Sequence, residues 1–298
     1  MEIKINGKPA DITLEKEKTV GEVLTGLQQW LAGSGFYLSG LEIDGKNYGS
    51  LSLDNAFALS LEGLSSVDVK TSGWADLFLE ALTSIISSLQ LYEKANTDDR
   101  KKFALNWEGS APALFLKDHE KNLYDLIQRT LNSAESIEPA GVTSSLPSPM
   151  SPIILLVSER IREIEDPGRE MKLIHQLTEE IAKSLEDLPL DMQTGKDAKA
   201  SETITLFSTF VEKLFRLLFL FKYYKTDIES IEVVSMNGSG KQNLKDYLGE
   251  FSSALKEMIT AFENKDTVLV GDLAEYELAP RLRCITEALN NNNPEVKS

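Results

Sequence analysis

Three acidic residues, Asp272, Glu275 and Glu277, gather around Tyr276 near the C-terminal end of this 298-residue chain. A carboxylate beside a phenol can exchange a proton, accept hydrogen bonds from a polar ligand or pair with a cation. At helical spacing Asp272 is flanked by Val268, Leu269, Leu273 and Tyr276, which directs one carboxylate toward an otherwise apolar face. A carboxylate there needs a partner: a tyrosine hydroxyl, a lysine or arginine from a neighbouring helix, or a helix N-terminus. Two readings follow for Asp272, Glu275 and Tyr276. They form a structural network that holds the last helix in place, which is the simpler account, or they line a pocket between helices for a small ligand or substrate. Glu277 and Arg281, four residues apart, form an ordinary helical ion pair.

The other chemical motifs exclude more than they support. Gly238-Ser239-Gly240-Lys241 follows the apolar run Ile231–Val234 and precedes a helical pattern, the order of a phosphate-binding loop. Ser235 stands where the first glycine is required, and Gln242 replaces the hydroxyl residue that would hold magnesium. A glycine-rich turn is the reading that remains. His119 and His175 lie in different predicted helices without ligand spacing, so neither a metal site nor a catalytic triad is expected, and no cofactor is implied. Cys284 is the single cysteine. It excludes an intramolecular disulfide, fits a reducing compartment and reads as a buried, inert thiol among apolar neighbours.

The elements that must position these residues are mostly helical. Ser201–Tyr224 is the most apolar run, and from Leu217 to Phe221 it is hydrophobic all round, which predicts a central helix with neighbours on every side. Thr205, Ser208, Thr209, Glu212, Lys213 and Arg216 form its one wet stripe, with Glu212 and Arg216 paired. The charges at 212, 213 and 216 leave it too short an apolar run to span a bilayer. Trp74 to Leu89 repeats apolar residues at the strongest amphipathic spacing, and Lys117–Asn132 predicts a further helix burying Leu123, Leu126, Ile127 and Leu131. Four prolines in residues 139–152 predict an extended linker. Helices are expected over 153–165 and 170–188, the second burying Leu173, Ile174, Leu177, Ile181 and Leu185, with a polar crossing from Leu190 to Asp197. A long helix over 244–262 places Leu244, Leu248, Phe251, Leu255, Met258, Ile259 and Phe262 inward. Asp266 caps the last helix, which Pro280 should kink or divide near Ala279.

Residues 1–72 read differently. Ile3 and Ile5 alternate with polar residues, Asn6-Gly7 is a hairpin turn, and Ile12 and Leu14 alternate on a return strand. Thr19 and Glu22 frame a capping box that opens a helix burying Val20, Val23, Leu24, Leu27 and Leu31, with Gly33 and Gly35 as its stop. Asp44-Gly45 turns a second hairpin, and Val67 and Val69 alternate in a last strand. The stretches EIKINGKPADITL and TVGEVLTGLQQWL give this first quarter a pattern that resembles the β-grasp, ubiquitin-like fold, in particular the small sulfur-carrier proteins. Those carriers act through a free C-terminal Gly-Gly. Here Val69 to Trp74 runs straight into a helix, so carrier chemistry is not implied and a binding platform is. The helical remainder resembles uncharacterised bacterial proteins.

The predicted class is therefore α+β: a β-grasp domain over 1–72, then a larger all-α bundle over 73–298. With 31 Lys and Arg against 47 Asp and Glu, the net charge of −16 argues against nucleic acid and anionic membrane as partners. The N-terminal residues lack a basic-then-apolar signal architecture, which predicts a cytoplasmic location. The function expected is a non-enzymatic interaction or scaffold protein that holds a protein partner or self-associates. The alternative is an enzyme or ligand binder with its pocket near Asp272.

Overall fold

In the computed structural model of the chain, residues 1–14, 16–48, 56–135, 150–224, 227–234 and 240–292 are described. The chain divides into two compact units, Met1–Ile161 and Arg162–Ser298, and is α+β.

The first unit begins with a mixed sheet. Strands β1 (Glu2–Ile5), β2 (Lys8–Pro9), β3 (Phe36–Ile43), β4 (Lys46–Tyr48) and β5 (Ser66–Gly73) lie in the order β2-β1-β5-β3-β4. β1 and β5 are parallel, and the other pairs are antiparallel. The parallel pair requires a crossover, which helix α1 (Val20–Gly33) provides. The Thr19–Glu22 capping box forms: Glu22 N–H donates to Thr19 Oγ1 at 3.3 Å, and the Glu22 carboxylate accepts from the Thr19 amide. Val20, Val23, Leu24, Leu27 and Leu31 of α1 then close over Ile3, Leu41, Ile43, Val67 and Val69 of the sheet.

Asn6 and Gly7 adopt φ of 50° and 77° at the first hairpin. The Asn6 side chain bonds both ways with Thr71, prolonging the β1–β5 ladder by one residue. Asp68, buried in β5, accepts from the Gly7 amide at 3.0 Å and pairs with Lys70. The return strand is shorter than expected. Pairing stops at Pro9, and the Ile12 amide donates to the Ala10 carbonyl in a tight turn, so Ile12 and Leu14 lie beyond the ladder.

β5 leads directly into α2 (Trp74–Lys94), whose Phe78, Leu82, Ile85, Leu89 and Tyr92 are buried. Helices α3 (Thr97–Trp107), α4 (Ala111–His119) and α5 (Lys121–Glu135) follow. Phe103, Leu105 and Trp107 alternate in sequence as on a strand, yet all three are helical, within α3. Leu126 is on the outer face of α5, and Tyr124 takes the inward position beside Leu123, Ile127 and Leu131. The proline-rich stretch falls outside the described residues up to position 149. Pro152 belongs to the first turn of α6 (Ser151–Glu165), where its missing N–H costs nothing. The division between units falls within α6.

The second unit is built on α7 (Pro167–Gln193), capped by Asp166, which accepts from the Arg169 amide at 2.9 Å. The sequence assigned the central place to the apolar run at 201–224, and the structure gives it to α7. Helix α8 (Asp197–Tyr223), α10 (Thr267–Asp272), the π-helical turn Leu273–Leu278 and α11 (Ala279–Asn291) all pack on α7. Its inward stripe is Met171, Ile174, Thr178, Ala182, Leu185 and Leu188, with Leu173 and Leu177 turned outward. It continues through Pro189 to Gln193, beyond the expected end at 188. α9 (Leu244–Glu263) follows a two-stranded ribbon of β6 (Glu232–Val234) and β7 (Lys241–Asn243). Tyr247, Phe251, Ala254, Met258 and Ala261 face in, and Ile259 and Phe262 face out, against expectation.

Candidate functional site

Asp272, Glu275 and Tyr276 are brought together, on the outside of the last helical stretch. Asp266 caps α10 by accepting from the Leu269 amide at 3.0 Å. Six residues on, the backbone widens into the π-helical turn directly before Pro280, whose ring would clash with a regular α-helical carbonyl one turn earlier. The expected division near Ala279 takes this form. The inward face runs through Val270, Gly271, Leu273, Ala274, Leu278 and Ala279. Asp272 is exposed, so it does not enter the apolar face as its spacing suggested. Gly271 explains the difference: a Cβ there would lie 2.9 Å from the Pro189 Cβ, so the glycine side of the helix is the one pressed on α7, and Val268 and Asp272 are turned out. The Tyr276 hydroxyl donates to Glu275, and this bond, then the Glu275 charge, raises the phenol above its ordinary range.

Beneath this turn lies a second group of polar residues. Tyr247 of α9 is buried and hydrogen-bonded to Cys284 of α11. Burial first, and then the Cys284 contact, drives its phenol upward. Arg281 reaches both Glu277 and Glu250, joining α11 to α9. Arg283 makes a two-point contact with Glu179 at 2.9 Å and also meets Glu186, fastening α11 to α7. Cys284 is half-buried, less enclosed than the buried thiol its apolar neighbours suggested.

Sequence reading missed the polar centre of this unit. Lys213 and Arg216, assigned to a wet stripe with Glu212 as partner, point inward. Arg216 forms a two-point pair with Glu163 at 2.9 Å, and Lys213 lies 2.7 Å from Glu170. Both carboxylates are almost fully buried. α8 consequently turns Phe215 and Phe219 outward, Phe219 with 53% exposure, and the rod is not sheathed on every side. Asp191 is likewise buried, with Lys199 at 2.7 Å and Lys196 at 3.1 Å. These contacts, led by Lys199, hold its carboxyl below the usual range. The partners of Glu163 and Glu170 lie 53 and 43 residues away, so no local spacing marks them, whereas Lys196 and Lys199 follow closely on Asp191.

Lys241, last residue of the glycine-rich run, pairs with Glu232 at 2.7 Å across the ribbon. Gly238 and Ser239 lie outside the described residues. His119 and His175 stand on α4 and α7 in different units. Among the described residues, no group of three or more His, Cys, Asp or Glu is placed to hold a metal ion, and no helix is long and apolar enough to cross a membrane.

Among the described residues, a concave surface lies in the first unit. A cleft of about 540 Å³ runs between α1 and the segment following β2. Ile5, Ile12, Leu14, Val23, Leu27 and Trp30 supply its apolar wall, and Asp11, Glu17 and Glu22 its polar rim. Trp30 is 61% exposed, and Phe36 and Tyr37, just past the α1–β3 turn, are also exposed.

Comparison with known proteins places recurrent sequence on both units. Residues 1–73 match a family model described as the TP0873 N-terminal domain, and this match ends where β5 ends. Residues 170–288 match a domain of unknown function, DUF8042, covering α7 through most of α11. An uncharacterised protein of Treponema pallidum (strain Nichols) is 32% identical over 106 residues, 36% of this chain and 50% of the relative. The chain thus spans about half the length of that relative. No solved structure matches.

Proposed function

We propose that this chain is a non-catalytic interaction protein whose N-terminal domain, of β-grasp and ubiquitin-like type, presents a docking surface to a protein partner. The β-grasp assignment is supported by a helix crossing over a mixed sheet in which the first and last strands are parallel neighbours. The observation that carries the functional reading is the exposure of Trp30, Phe36 and Tyr37 at one end of α1, beside an apolar cleft. Large aromatic side chains are costly to leave in water and are enriched where proteins meet. The net charge of −16 favours a basic partner, and the single cysteine favours a reducing, cytoplasmic setting.

The test compares the full chain with a Trp30→Ser/Phe36→Ser/Tyr37→Ser variant, each immobilised and exposed to extract from the native host. A protein retained in stoichiometric amount by the natural chain and lost by the variant is the expected result. Light scattering on both would register self-association as a mass that the variant halves. Identical recoveries, with monomer masses for both chains, would remove the basis of the proposal.

A further inference from the structure

We infer that helix α9 is the interface of a homodimer, in which two copies of this chain lay their α9 helices antiparallel, Leu248 of each against Ile259 of the other. The interface lies in the second unit and does not depend on the N-terminal docking surface.

α9 has two apolar seams, where a helix that only closes its own bundle needs one. Leu244, Tyr247, Phe251, Ala254, Met258 and Ala261 recur at intervals of three and four and form the buried face. Leu248, Ser252, Leu255, Ile259 and Phe262 recur in the same rhythm, shifted around the helix. Leu248, Leu255 and Phe262 are seven residues apart, and so are Ser252 and Ile259, which is the repeat that sets one helix along another. The bundle covers this second seam incompletely. Leu248, Ser252 and Leu255 are half-buried, while Ile259 and Phe262 are 59% and 55% exposed. Single apolar side chains on a surface are ordinary, but a row at heptad spacing is what a second helix reads.

Large and small side chains alternate along the seam so that it fits its own reverse. With a twofold axis midway between Ser252 and Leu255, Leu248 meets the partner's Ile259 and Leu255 meets the partner's Ser252. Each contact then occurs twice, as an isologous interface requires. The small serine leaves room for the leucine opposite and lets the helices approach closely. Phe262 lies over the aliphatic stem of the partner's Lys245.

Charge selects a second copy and its direction. The outer flank of the seam carries Lys245 at one end and Glu263 at the other, with Lys256 between them. The same axis sets each Lys245 beside the partner's Glu263, so ion pairs close both ends of the interface. Lys245 lies 3.7 Å from Glu229 of its own chain and, with three donors, can serve both carboxylates. Lys256 falls beside the partner's Gly249 and Ser252, away from the partner's Lys256. A Cβ built on Gly249 meets nothing within 4 Å, which leaves space for that lysine stem. A parallel pair would set Lys245 against Lys245 and Glu263 against Glu263, a like-charge arrangement at both ends.

Sedimentation velocity and light scattering on the full chain read the association. The natural chain should show twice the mass of one chain, with a dissociation constant of about 10 µM or below. Ile259→Glu, at an exposed position, should keep the natural ellipticity and melting temperature and weaken the dimer about ten-fold or more. Lys245→Glu and Glu263→Lys should each weaken it about five-fold through repulsion at both ends, and the chain carrying both changes should regain it. Glu263→Lys makes the chain less acidic, so weakening there cannot come from general repulsion between acidic molecules. The dimer should persist in Trp30→Ser/Phe36→Ser/Tyr37→Ser, which separates this interface from the N-terminal surface. A single-chain mass up to about 0.1 mM, a dimer that a folded Ile259→Glu leaves intact, or a double charge variant no tighter than the single ones would each overturn the inference. Should Ile259→Glu lose ellipticity, the charge variants, both at exposed positions, decide alone.

Discussion

At the scale of single residues, the second unit is held by charges in places where charges are expensive. Glu163 and Arg216 illustrate the balance: leaving either buried without the other is far worse than removing both. Glu163→Leu and Arg216→Leu should each destabilise by about 3–5 kcal/mol, and the double variant should recover most of that loss, read as a coupling energy in a urea double-mutant cycle. Asp191 makes a different prediction, through pH. Its folded pKa is lowered by Lys199 and Lys196, so its contribution is complete above the ordinary carboxylate value of 3.8 and is lost as pH falls through the lower folded value. Asp191→Asn should therefore be less stable than the natural chain at neutral pH. The gap should close on acidification from about pH 5 to about pH 2, followed by urea midpoints across that range. Asp68 behaves in the same sense: burial raises its carboxyl, but the bonds from Lys70 and the Gly7 amide outweigh that and lower it. The Glu163–Arg216 pair could not be found by local spacing, since nothing near Arg216 names Glu163 over its near neighbour Glu212, whereas Asp68 with Lys70 and Asp191 with Lys196 and Lys199 are close in sequence.

At the scale of elements, local signals were legible and faces were not. The Thr19–Glu22 box, the Asn6-Gly7 and Asp44-Gly45 turns and the Asp266 cap all formed, because each is decided by residues within a few positions of one another. The faces of α7, α9 and α10 were misjudged wherever a small residue made the contact. Ala182, Ala254 and Ala261 are buried while Leu177, Ile259 and Phe262 are not, since close helix packing favours the side with least bulk. The facing of Asp272 was misread for the same reason: its large apolar neighbours suggested an inward position, and Gly271 against Pro189 set the actual one. Gly271→Ala tests that account. Helix propensity alone would favour alanine by roughly 1 kcal/mol. A Cβ 2.9 Å from Pro189 should reverse the sign and lower stability by about 1–3 kcal/mol, visible as a reduced melting temperature. Gly7→Ala should also destabilise, by about 1 kcal/mol, because φ of 77° strains any side chain.

At the scale of the whole molecule, a net charge of −16 on 298 residues opposes compaction. Screening should relieve it more than it weakens the buried pairs, so raising salt from about 20 to about 300 mM should stabilise the chain by roughly 1 kcal/mol, or about 2–4 °C in melting temperature. A melting temperature that falls with salt would show that the surface ion pairs outweigh the repulsion. All three tryptophans, Trp30, Trp74 and Trp107, belong to the Met1–Ile161 unit, whereas the long helices α7, α8 and α9 belong to the other. Indole emission therefore watches one half of the protein only. Ultraviolet ellipticity at 222 nm watches both, and a mismatch between the two signals during denaturation would reveal, without any label, which half lets go first.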